Sequence, residues 1–381
     1  MNAIPSSFAL TAAALSELAD EVRNRYPSLK EAAPARAAAP GGPRSVLITG
    51  GAGFLGVHLL REIIQRSQFQ KIYLLVRRPE TLLQQLVRYG IEPGVLDRIT
   101  LVVGDLQDMP GEDFPEVDVV IHSAARIHGL KSLRHLWADN VEATARLFAH
   151  YTGRAEIHFI STLSVFVSSN RSGAHLPSWV EPVDRKQKYR GAPPCELYGG
   201  YAQSKYVCEC LAREAGVHIA RLGLLTGSST LGRFPEKDFF SVFIKTMRGL
   251  GCAPAGVADA WVDITPVDFA ASLIVRNILD ASRAPIVHIA NFSPVNASFI
   301  CHKLRLPLVS ADEFRARIAG LPGIERVLLT YAFFKDEALQ VLSDYFNIDL
   351  FQSTNHVYCI NKPFPVSNDM LVSLYVSEMD A

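Results

Sequence analysis

The 381-residue sequence predicts an α/β protein built on a doubly wound parallel sheet. Two observations support this fold class. Short, nearly continuous runs of Val, Ile and Leu alternate with helical patterns from residue 45 onward, as in parallel sheets whose two faces are covered by helices. The first run also leads directly into the glycine-rich segment TGGAGFLG at 49–56, which is typical of a strand, turn and helix that hold a phosphate group.

Seven apolar runs fit buried strands of that sheet. They are SVLITG (45–50), KIYLLVR (71–77), RITLVVGDL (98–106), VDVVIHSAA (117–125), AEIHFIST (155–162), VHIARLGLL (217–225) and PIVHIAN (285–291). A helix is expected from about 55 to 66, directly after the first strand, and helical segments separate the later runs.

The sequence also predicts how the chain divides. Residues 1–43 combine an amphipathic helix, with apolar residues at near-helical spacing, and an Ala/Pro-rich linker at 31–43. A Rossmann-type nucleotide-binding domain is expected at 44–227, rejoined by about 260–295. Residues 228–259 and 296–381 lack the strand–helix rhythm, and they are expected to form a smaller, mostly helical C-terminal substrate lobe.

The composition argues against several classes of protein. Lys and Arg together number 38, as do Asp and Glu, so no bulk positive field attracts nucleic acid or an acidic membrane. No apolar run approaches the roughly 20 residues of a membrane-spanning helix, and the N-terminus lacks the basic region of a signal peptide. The six cysteines are scattered without metal-binding spacing. We therefore expect a cytoplasmic protein with no metal, no nucleic-acid partner and no membrane span.

The glycine-rich segment has the context that a dinucleotide site requires. Gly50, Gly53 and Gly56 follow a strand and open a helix, so the bare backbone can turn sharply and approach a pyrophosphate at the helix N-terminus. Phe54 and Leu55 lie within the same turn, and we include them among the cofactor-binding residues. The alternative reading is a tight turn without a ligand.

The end of the second strand predicts which dinucleotide binds. An acidic residue there grips the ribose hydroxyls of NAD, whereas an arginine accommodates the 2′-phosphate of NADP. The strand ends LLVRRPE, with Arg77 and Arg78 and no acid before Glu80. NADPH is therefore the expected cofactor, although solvated arginines are also common at strand ends.

Two further strand ends complete the predicted cofactor site. Asp105 in GDL could accept a hydrogen bond from the adenine amino group, and Leu106 could pack on the ring. The small residues of HSAA, at the end of the fourth strand, would let the cofactor pass closely. They are Ser123, Ala124 and Ala125.

The catalytic candidates lie in GGYAQSKYVCE at 199–209. Tyr201 and Lys205 are four residues apart, so on a helix they share one face. A free tyrosine has a pKa near ~10, and a neighbouring ammonium is expected to bring it towards the working range. The same lysine could hydrogen-bond the nicotinamide ribose, so both residues also count among the cofactor-binding candidates.

A hydroxyl group is predicted beside that tyrosine. FISTLSVF ends the fifth strand at the carboxyl edge, where open parallel sheets bind ligands. Thr162 is the preferred donor to a substrate oxygen, with Ser164 as the alternative substrate-binding residue. Alternation along the strand makes Ser161 point away from it.

These motifs, in this order, resemble those of an extended short-chain dehydrogenase/reductase over about residues 44–295. A narrower resemblance rests on WVDITPVDFAASLIV (261–275), LVRR, STLSVF and IDLFQSTNH (348–356), which are similar to thioester reductase domains. Those domains are the terminal reductases of nonribosomal peptide and polyketide synthetases and of carboxylic acid reductases. The segment between LVRR and RITLVVGDL departs from that family because it is shorter and lacks the usual second arginine spacing, a place that Arg78 or Arg88 could take.

The resemblance implies NADPH-dependent reduction of an acyl or peptidyl thioester to an aldehyde, and in some members onward to the alcohol. The thioester would be carried on a carrier-protein phosphopantetheine arm or on coenzyme A. Thr162 and Tyr201 would bond the carbonyl oxygen, and Lys205 would orient the ribose. Phe243, on an apolar helical face at 234–251, is a candidate for lining the acyl channel or for a core position. The expected assembly is a monomer or homodimer.

Several alternatives remain open on sequence alone. A nucleotide-sugar epimerase or dehydratase shares this fold, as does a small-ketone or hydroxysteroid reductase. A redox sensor that binds NADP without chemistry is the alternative from another class. Asn140 is either a solvated helix residue or, as the resemblance implies, a support for Lys205. The basic cluster at 184–190 is a solvated loop or a docking site for an acidic carrier protein, and His122 is expected to be structural.

Overall fold

A computed structural model describes residues 4–5, 9–30, 44–66, 69–109, 114–128, 131–166, 197–235, 239–259, 261–262, 264–280, 284–291, 295–321, 323, 334–335, 338–339 and 367–380. The chain forms two compact units. Unit 1 comprises Met1–Leu222, Ala270–Ile289 and Val357–Ile360, and unit 2 comprises Gly223–Phe269, Ala290–His356 and Asn361–Ala381.

The described strands are short, as is usual in α/β proteins. In chain order they are β1 Ala9–Leu10, β2 Ser45–Thr49, β3 Lys71–Val76, β4 Ile99–Val103, β5 Val119–His122, β6 Glu156–Thr162, β7 Leu197–Tyr198, β8 His218–Leu222, β9 Leu225–Thr226, β10 Ala253–Pro254, β11 Trp261–Val262, β12 Thr265–Pro266, β13 Ile286–Ile289, β14 Val295–Asn296, β15 Leu308–Val309, β16 Phe334–Lys335 and β17 Ala338–Leu339.

Helices connect these strands. The described α-helices are α1 Ala12–Arg25, α2 Phe54–Arg66, α3 Pro79–Arg88, α4 Leu133–Leu136, α5 Ala143–Tyr151, α6 Gly200–Glu214, α7 Phe239–Leu250, α8 Val267–Leu279, α9 Ala297–Lys303, α10 Ala311–Ala319 and α11 Asn368–Asp380. A π-helical turn at Trp137–Glu142 joins α4 to α5.

Unit 1 is organised around a seven-stranded sheet in the order β13-β8-β6-β5-β2-β3-β4. All neighbouring strands in it are parallel, and the seven strands correspond to the seven apolar runs of the sequence. The central strands β5, β6 and β8 are almost wholly buried, which explains their continuous apolar character. The predicted fold class, a doubly wound α/β sheet, is confirmed.

The chain order of the strands reverses next to β2. From β2 the chain proceeds to β3 and β4 on one side, and then returns to place β5, β6, β8 and β13 on the other. In open parallel sheets, ligands bind in the crevice outside the carboxyl ends of the strands at such a reversal. The carboxyl ends of β2 and β5 carry the glycine-rich segment and HSAA, so both predicted cofactor segments start at this point.

Unit 2 combines helices with short strand pairs. In the described residues β9 pairs with β12, β10 with β15, β11 with β14 and β16 with β17. Its core is apolar and includes Phe234, Met247, Phe314 and Leu371, contributed by distant parts of the sequence. The C-terminal part of the chain is therefore less purely helical than the sequence pattern suggests.

Candidate active site

The glycine-rich turn approaches the end of β5 so closely that side chains are excluded from it. Gly50 has a φ of +71°, and a Cβ there would lie 2.7 Å from the backbone nitrogen of Ala124. A Cβ on Gly56 would collide with the carbonyl oxygen of Gly50, so the absence of a side chain at Gly56 lets α2 pack closely on the turn. A turn that bare backbone shapes at a helix N-terminus fits the pyrophosphate of a dinucleotide.

A buried hydrogen-bond network holds the ends of β2 and β5 together. His122 lies with Nδ1 2.7 Å from Thr49 Oγ1 and Nε2 2.8 Å from Thr144 Oγ1. Thr144 donates its proton to the carbonyl of Asn140 at 2.5 Å, so His122 must donate from Nε2 and accept at Nδ1. Burial, with Lys205 as a second cause, lowers the pKa of His122 to about 3, which keeps the ring neutral. His122 is thus structural, as expected.

The same network continues to the catalytic candidates through Asn140. Its amide Nδ2 donates to Ser204 Oγ at 3.0 Å, and Ser204 Oγ donates to the carbonyl of Tyr201 at 2.7 Å. The Asn140 Oδ1 accepts from the backbone nitrogen of Arg126 at 2.7 Å. Asn140 is 2% exposed, so it is a buried connector between the loop after β5 and α6, and not a solvated helix residue.

Helix α6 places Tyr201 in its first turn and Lys205 one turn further along. The Lys205 ammonium donates to the carbonyl of Ile160 in β6 at 2.7 Å and lies 4.5 Å from the Phe159 ring centroid. Burial lowers the pKa of Lys205 to about 8, and the neighbouring Cys208 and Glu209 partly offset this.

The pKa of Tyr201 differs from the expectation based on its spacing to Lys205. Burial, followed by the nearby Cys208, raises the pKa of Tyr201 above its ordinary value. The expected lowering by Lys205 is not found in the structure. A raised pKa keeps the phenol protonated across the neutral range, and a phenol is the form that a proton donor to an oxyanion needs.

Thr162 ends β6, and its hydroxyl is linked to that of Ser164. Thr162 Oγ1 donates to Ser164 Oγ at 3.1 Å and accepts from the backbone nitrogen of Ser164 at the same distance. Thr162, the preferred hydroxyl donor, and Ser164, its alternative, therefore place their hydroxyl groups next to each other at the end of β6. Ser161 instead donates to the buried carboxylate of Glu209 at 2.6 Å, and so is engaged elsewhere.

The candidates for the adenosine end lie after β3 and β4. Arg77 Nη1 is 3.7 Å from Asp105 Oδ2, and Asp105 Oδ1 accepts from the backbone nitrogen of Gln107 at 3.1 Å. The Arg77 side chain is 72% exposed, Arg78 is the exposed residue that precedes α3, and Leu106 is buried. The Arg77 side chain is therefore accessible to solvent at the end of β3.

Some predicted features lie outside the described residues. These are the basic cluster at 184–190, the segment 348–356 and the side chain of Phe243, whose backbone belongs to α7. Among the described residues no group of three or more His, Cys, Asp or Glu is placed to hold a metal ion. The roles assigned to the catalytic, cofactor and substrate candidates stay predictions.

Sequence reasoning missed two features of α6. Glu209 forms a buried ion pair with Arg221 of β8, with Oε2 2.6 Å from Nη2. Its position four residues after Lys205 was a usable signal, because Tyr201, Lys205 and Glu209 share one helical face. Gly200 is the other feature, since a Cβ there would collide with the backbone of residues 131–133.

The fold and the site together define the class of protein. A parallel sheet with a side-chain-free turn at its strand reversal, and a helix carrying Tyr201 and Lys205 against β6, are the features of a dinucleotide-binding reductase of the extended short-chain dehydrogenase/reductase type. The chain belongs to the NAD-binding family described as "Male sterility protein", whose pattern matches residues 48–274.

Relatives of known structure and sequence agree with this assignment. The chain is similar to the terminal R domain from the myxalamid PKS-NRPS biosynthetic pathway, with a TM-score of 0.73 and 25% identity over 95% of this chain and 97% of that one. It is 28% identical over 69% of its length to the glycine betaine reductase ATRR of Emericella nidulans, of which it covers 22%. It is 27% identical over 64% of its length to the L-2-aminoadipate reductase of Schizosaccharomyces pombe, of which it covers 19%.

The chain thus spans about a fifth of the length of these two curated relatives. A thiolation-reductase di-domain from an archaeal non-ribosomal peptide synthetase shares the fold, with a TM-score of 0.68 and 22% identity over 97% of this chain and 81% of that one. Within the described part of the chain, no helix has the length and apolar character needed to cross a membrane.

Proposed function

We propose that the protein reduces an acyl thioester to an aldehyde with NADPH. The observation that carries the proposal is the contact between α6 and β6. The Lys205 ammonium bonds the Ile160 carbonyl, two residues before Thr162. Helix α6 connects β6 to its parallel neighbour β8, so it runs back along the sheet and its N-terminal turn begins on the side of the strand's carboxyl end. Tyr201 is in that turn, which supports a shared site for a phenol and the Thr162 hydroxyl.

The residues of this chain have distinct tasks in that reaction. The turn at Gly50 and Gly56 would hold the pyrophosphate, and Lys205 would bond the nicotinamide ribose. NADPH, when bound, supplies the hydride that forms the new C–H bond at the thioester carbonyl carbon. As the carbonyl π bond breaks, negative charge develops on its oxygen, where Tyr201 and Thr162 can donate hydrogen bonds.

Proton transfers then complete the reaction. Tyr201 gives its proton to the oxyanion, which produces a hemithioacetal, and recovers a proton from solvent. The hemithioacetal then breaks its C–S bond: the thiolate leaves and takes up a proton, and the hydroxyl loses one as the aldehyde C=O forms. The pKa of Tyr201, raised by burial, favours the protonated phenol before each turnover.

The thioester carrier is the second part of the proposal. The relatives are named as a glycine betaine reductase, an aminoadipate reductase and a reductase domain beside a thiolation domain. These names support a thioester on a carrier-protein phosphopantetheine arm, with coenzyme A as the alternative donor. We further propose that residues 228–259 and 296–381 form the substrate lobe, with Phe243 beside the acyl chain.

The test offers the purified protein NADPH with one acyl group, either on a carrier protein or on coenzyme A. We expect loss of the reduced-nicotinamide absorbance and an aldehyde identified by mass, with the carrier-bound donor turning over faster. Tyr201→Phe should lower kcat by about 100-fold or more, since a positioned proton donor contributes that much. Tyr206→Phe, on the same helix, is the matched control and should keep its activity.

Two results would contradict the proposal. If neither thioester oxidises NADPH while a free ketone does, the protein is a ketone reductase on the same fold. If Tyr201→Phe and Tyr206→Phe are equally active, the proton donor is another residue.

A further inference from the structure

Residues 9–29, called the N-terminal strap here, contact the helix that carries Tyr201 and Lys205. We propose that this strap is a positioning element of the active site: it fixes the N-terminal turn of α6 and hence the phenol of Tyr201. The inference goes beyond the proposed function, and only its kinetic consequence rests on that function.

The first contact of the strap lies immediately before α6. Strand β1 pairs antiparallel with β7, with Leu10 opposite Leu197 and Ala9 opposite Tyr198. Only Gly199 separates β7 from the helix. The position of β7 therefore determines where the first turn of α6 begins.

Helix α6 is tied to β7 by one of its own side chains as well. Gln203 Nε2 donates to the carbonyl of Leu197 at 3.1 Å, in a buried position. Leu197 is therefore bonded on one side by α6 and paired on the other with the strap. Loss of the strap would remove the strand that pairs with β7 among the described residues.

The second contact runs along the helix itself. Helix α1 packs against α6, and its buried residues Leu15, Leu18 and Val22 lie on one helical face. Leu15 and Val22 are fully buried. Ser16 Oγ is 4.0 Å from Cys210 Sγ, which marks the register of the two helices. An apolar seam of this kind fixes both the distance and the rotation of α6.

The third contact anchors the end of the strap. Arg25 Nη2 lies 2.6 Å from Glu142 Oε1, which also accepts from Trp137 Nε1 at 2.8 Å. Ser28 Oγ donates to the carbonyl of Ala149 in α5 at 3.2 Å. The strap is thus fixed at both ends, with α6 between its anchors.

The first turn of α6 also contacts a further segment of unit 1 closely. Gly200 meets the backbone of residues 131–133 so closely that no Cβ fits. The turn that carries Tyr201 therefore cannot shift towards those residues, and the strap holds the same turn through β7 and α1. A displacement of about 1 Å is enough to cost about 100-fold in rate, so both supports matter for catalysis.

The test compares two full-chain variants, each of which replaces one fully buried leucine by alanine. Leu15→Ala removes a strap contact, and Leu86→Ala, also fully buried, removes one in α3. We expect Leu15→Ala to speed hydrogen exchange of the α6 amides by about 10-fold or more over Leu86→Ala. We also expect about 10-fold loss of kcat with a smaller change in the KM for NADPH, since the glycine-rich turn that would hold the pyrophosphate opens α2 and not α6.

A rescue variant separates positioning from general loss of stability. Adding Ser16→Cys to Leu15→Ala brings a thiol beside Cys210, and oxidation can join the two. The disulfide should restore slow exchange in α6 and recover kcat, and reduction should reverse both effects. The same double variant with Cys210→Ser should not respond to oxidation.

The outcomes distinguish this inference from the proposed function. Equal exchange of α6 in Leu15→Ala and Leu86→Ala overturns the positioning role, whatever the substrate is. Faster exchange with an unchanged kcat also overturns it. If the wild-type protein reduces no thioester, the proposed function fails, while the exchange and rescue measurements still decide the role of the strap.

Discussion

Glu209 of α6 and Arg221 of β8 form an ion pair in the interior of the protein, with Oε2 2.6 Å from Nη2. The two residues are 0% and 1% exposed. Glu209 also accepts a hydrogen bond from Ser161 in β6, so one carboxylate joins α6 to two strands. Lys205 bonds the neighbouring Ile160 carbonyl one helical turn away. Together these contacts hold α6 along β6.

The first prediction concerns this ion pair. Glu209→Ala leaves the Arg221 guanidinium buried without its carboxylate, which should lower the free energy of unfolding by about 3–5 kcal/mol. The double variant Glu209→Leu/Arg221→Met removes both charges and should recover most of that loss, because a buried pair can often be replaced by apolar side chains. Urea denaturation of the two variants and the wild type measures both values. A double variant no more stable than Glu209→Ala would show that the pair is not the dominant interaction.

The second prediction concerns Gly200. Alanine at this position would overlap the backbone of residues 131–133, so Gly200→Ala should destabilise the protein by about 1–3 kcal/mol. It should also reduce kcat, because the overlap displaces the turn that carries Tyr201. Gly249→Ala in α7 is the control: a Cβ there has open space, and the change should be neutral or stabilising. Thermal melting and steady-state kinetics of both variants test this, and equal behaviour of the two would contradict it.

Neither the Glu209–Arg221 pair nor the close contact of Gly200 was predicted from the sequence, but other parts of the fold and of the candidate site were. The seven strands could be predicted because buried parallel strands are apolar without interruption. Tyr201 and Lys205 could be paired because α-helical periodicity is local. Both kinds of information are contained in a short stretch of sequence.

Other features could not be predicted because they depend on contacts between parts of the chain that are distant in sequence. Glu209 meets Arg221 only because β8 lies beside β6, and no local pattern specifies that adjacency. The raised pKa of Tyr201 follows from burial in the folded chain, with the nearby Cys208 as the second cause, and neither can be read from the spacing to Lys205. The N-terminal helix looked separate because the Ala/Pro-rich stretch divides it from the first strand, yet its apolar face is buried within unit 1.

The third prediction concerns pH. Burial lowers the pKa of Lys205 to about 8 in the folded protein, whereas a lysine in an unfolded chain titrates near ~10.4. Below about pH 8 Lys205 is protonated in both the folded and the unfolded protein, and the buried charge destabilises the folded protein. Between these values the unfolded state binds more protons, so the contribution of Lys205 to the free energy of unfolding rises with pH.

Lys205→Met removes that contribution and is the reference for it. We expect the difference in unfolding free energy between the wild type and Lys205→Met to shift in favour of the wild type from pH 8 to pH 10. Urea denaturation at several pH values provides the measurement. A difference that stays constant over this range would mean that Lys205 titrates at its ordinary pKa.

The fourth prediction concerns the choice of cofactor. Arg77 is exposed at the end of β3, and its guanidinium faces Asp105 at 3.7 Å, a separation at which an exposed ion pair contributes little. The guanidinium can therefore turn to a 2′-phosphate, where a charge-assisted bond of about 1.5–3 kcal/mol corresponds to roughly 10- to 100-fold in binding. Arg77→Ala should raise the KM for NADPH by that factor and leave the KM for NADH almost unchanged.

Arg78→Ala, which removes the adjacent exposed arginine before α3, is the matched control and should have a smaller effect. If Arg78→Ala has the larger effect, Arg78 binds the 2′-phosphate. If Arg77→Ala raises the KM for NADPH and NADH equally, Arg77 does not contact the 2′-phosphate, and the preference for NADPH must come from another residue.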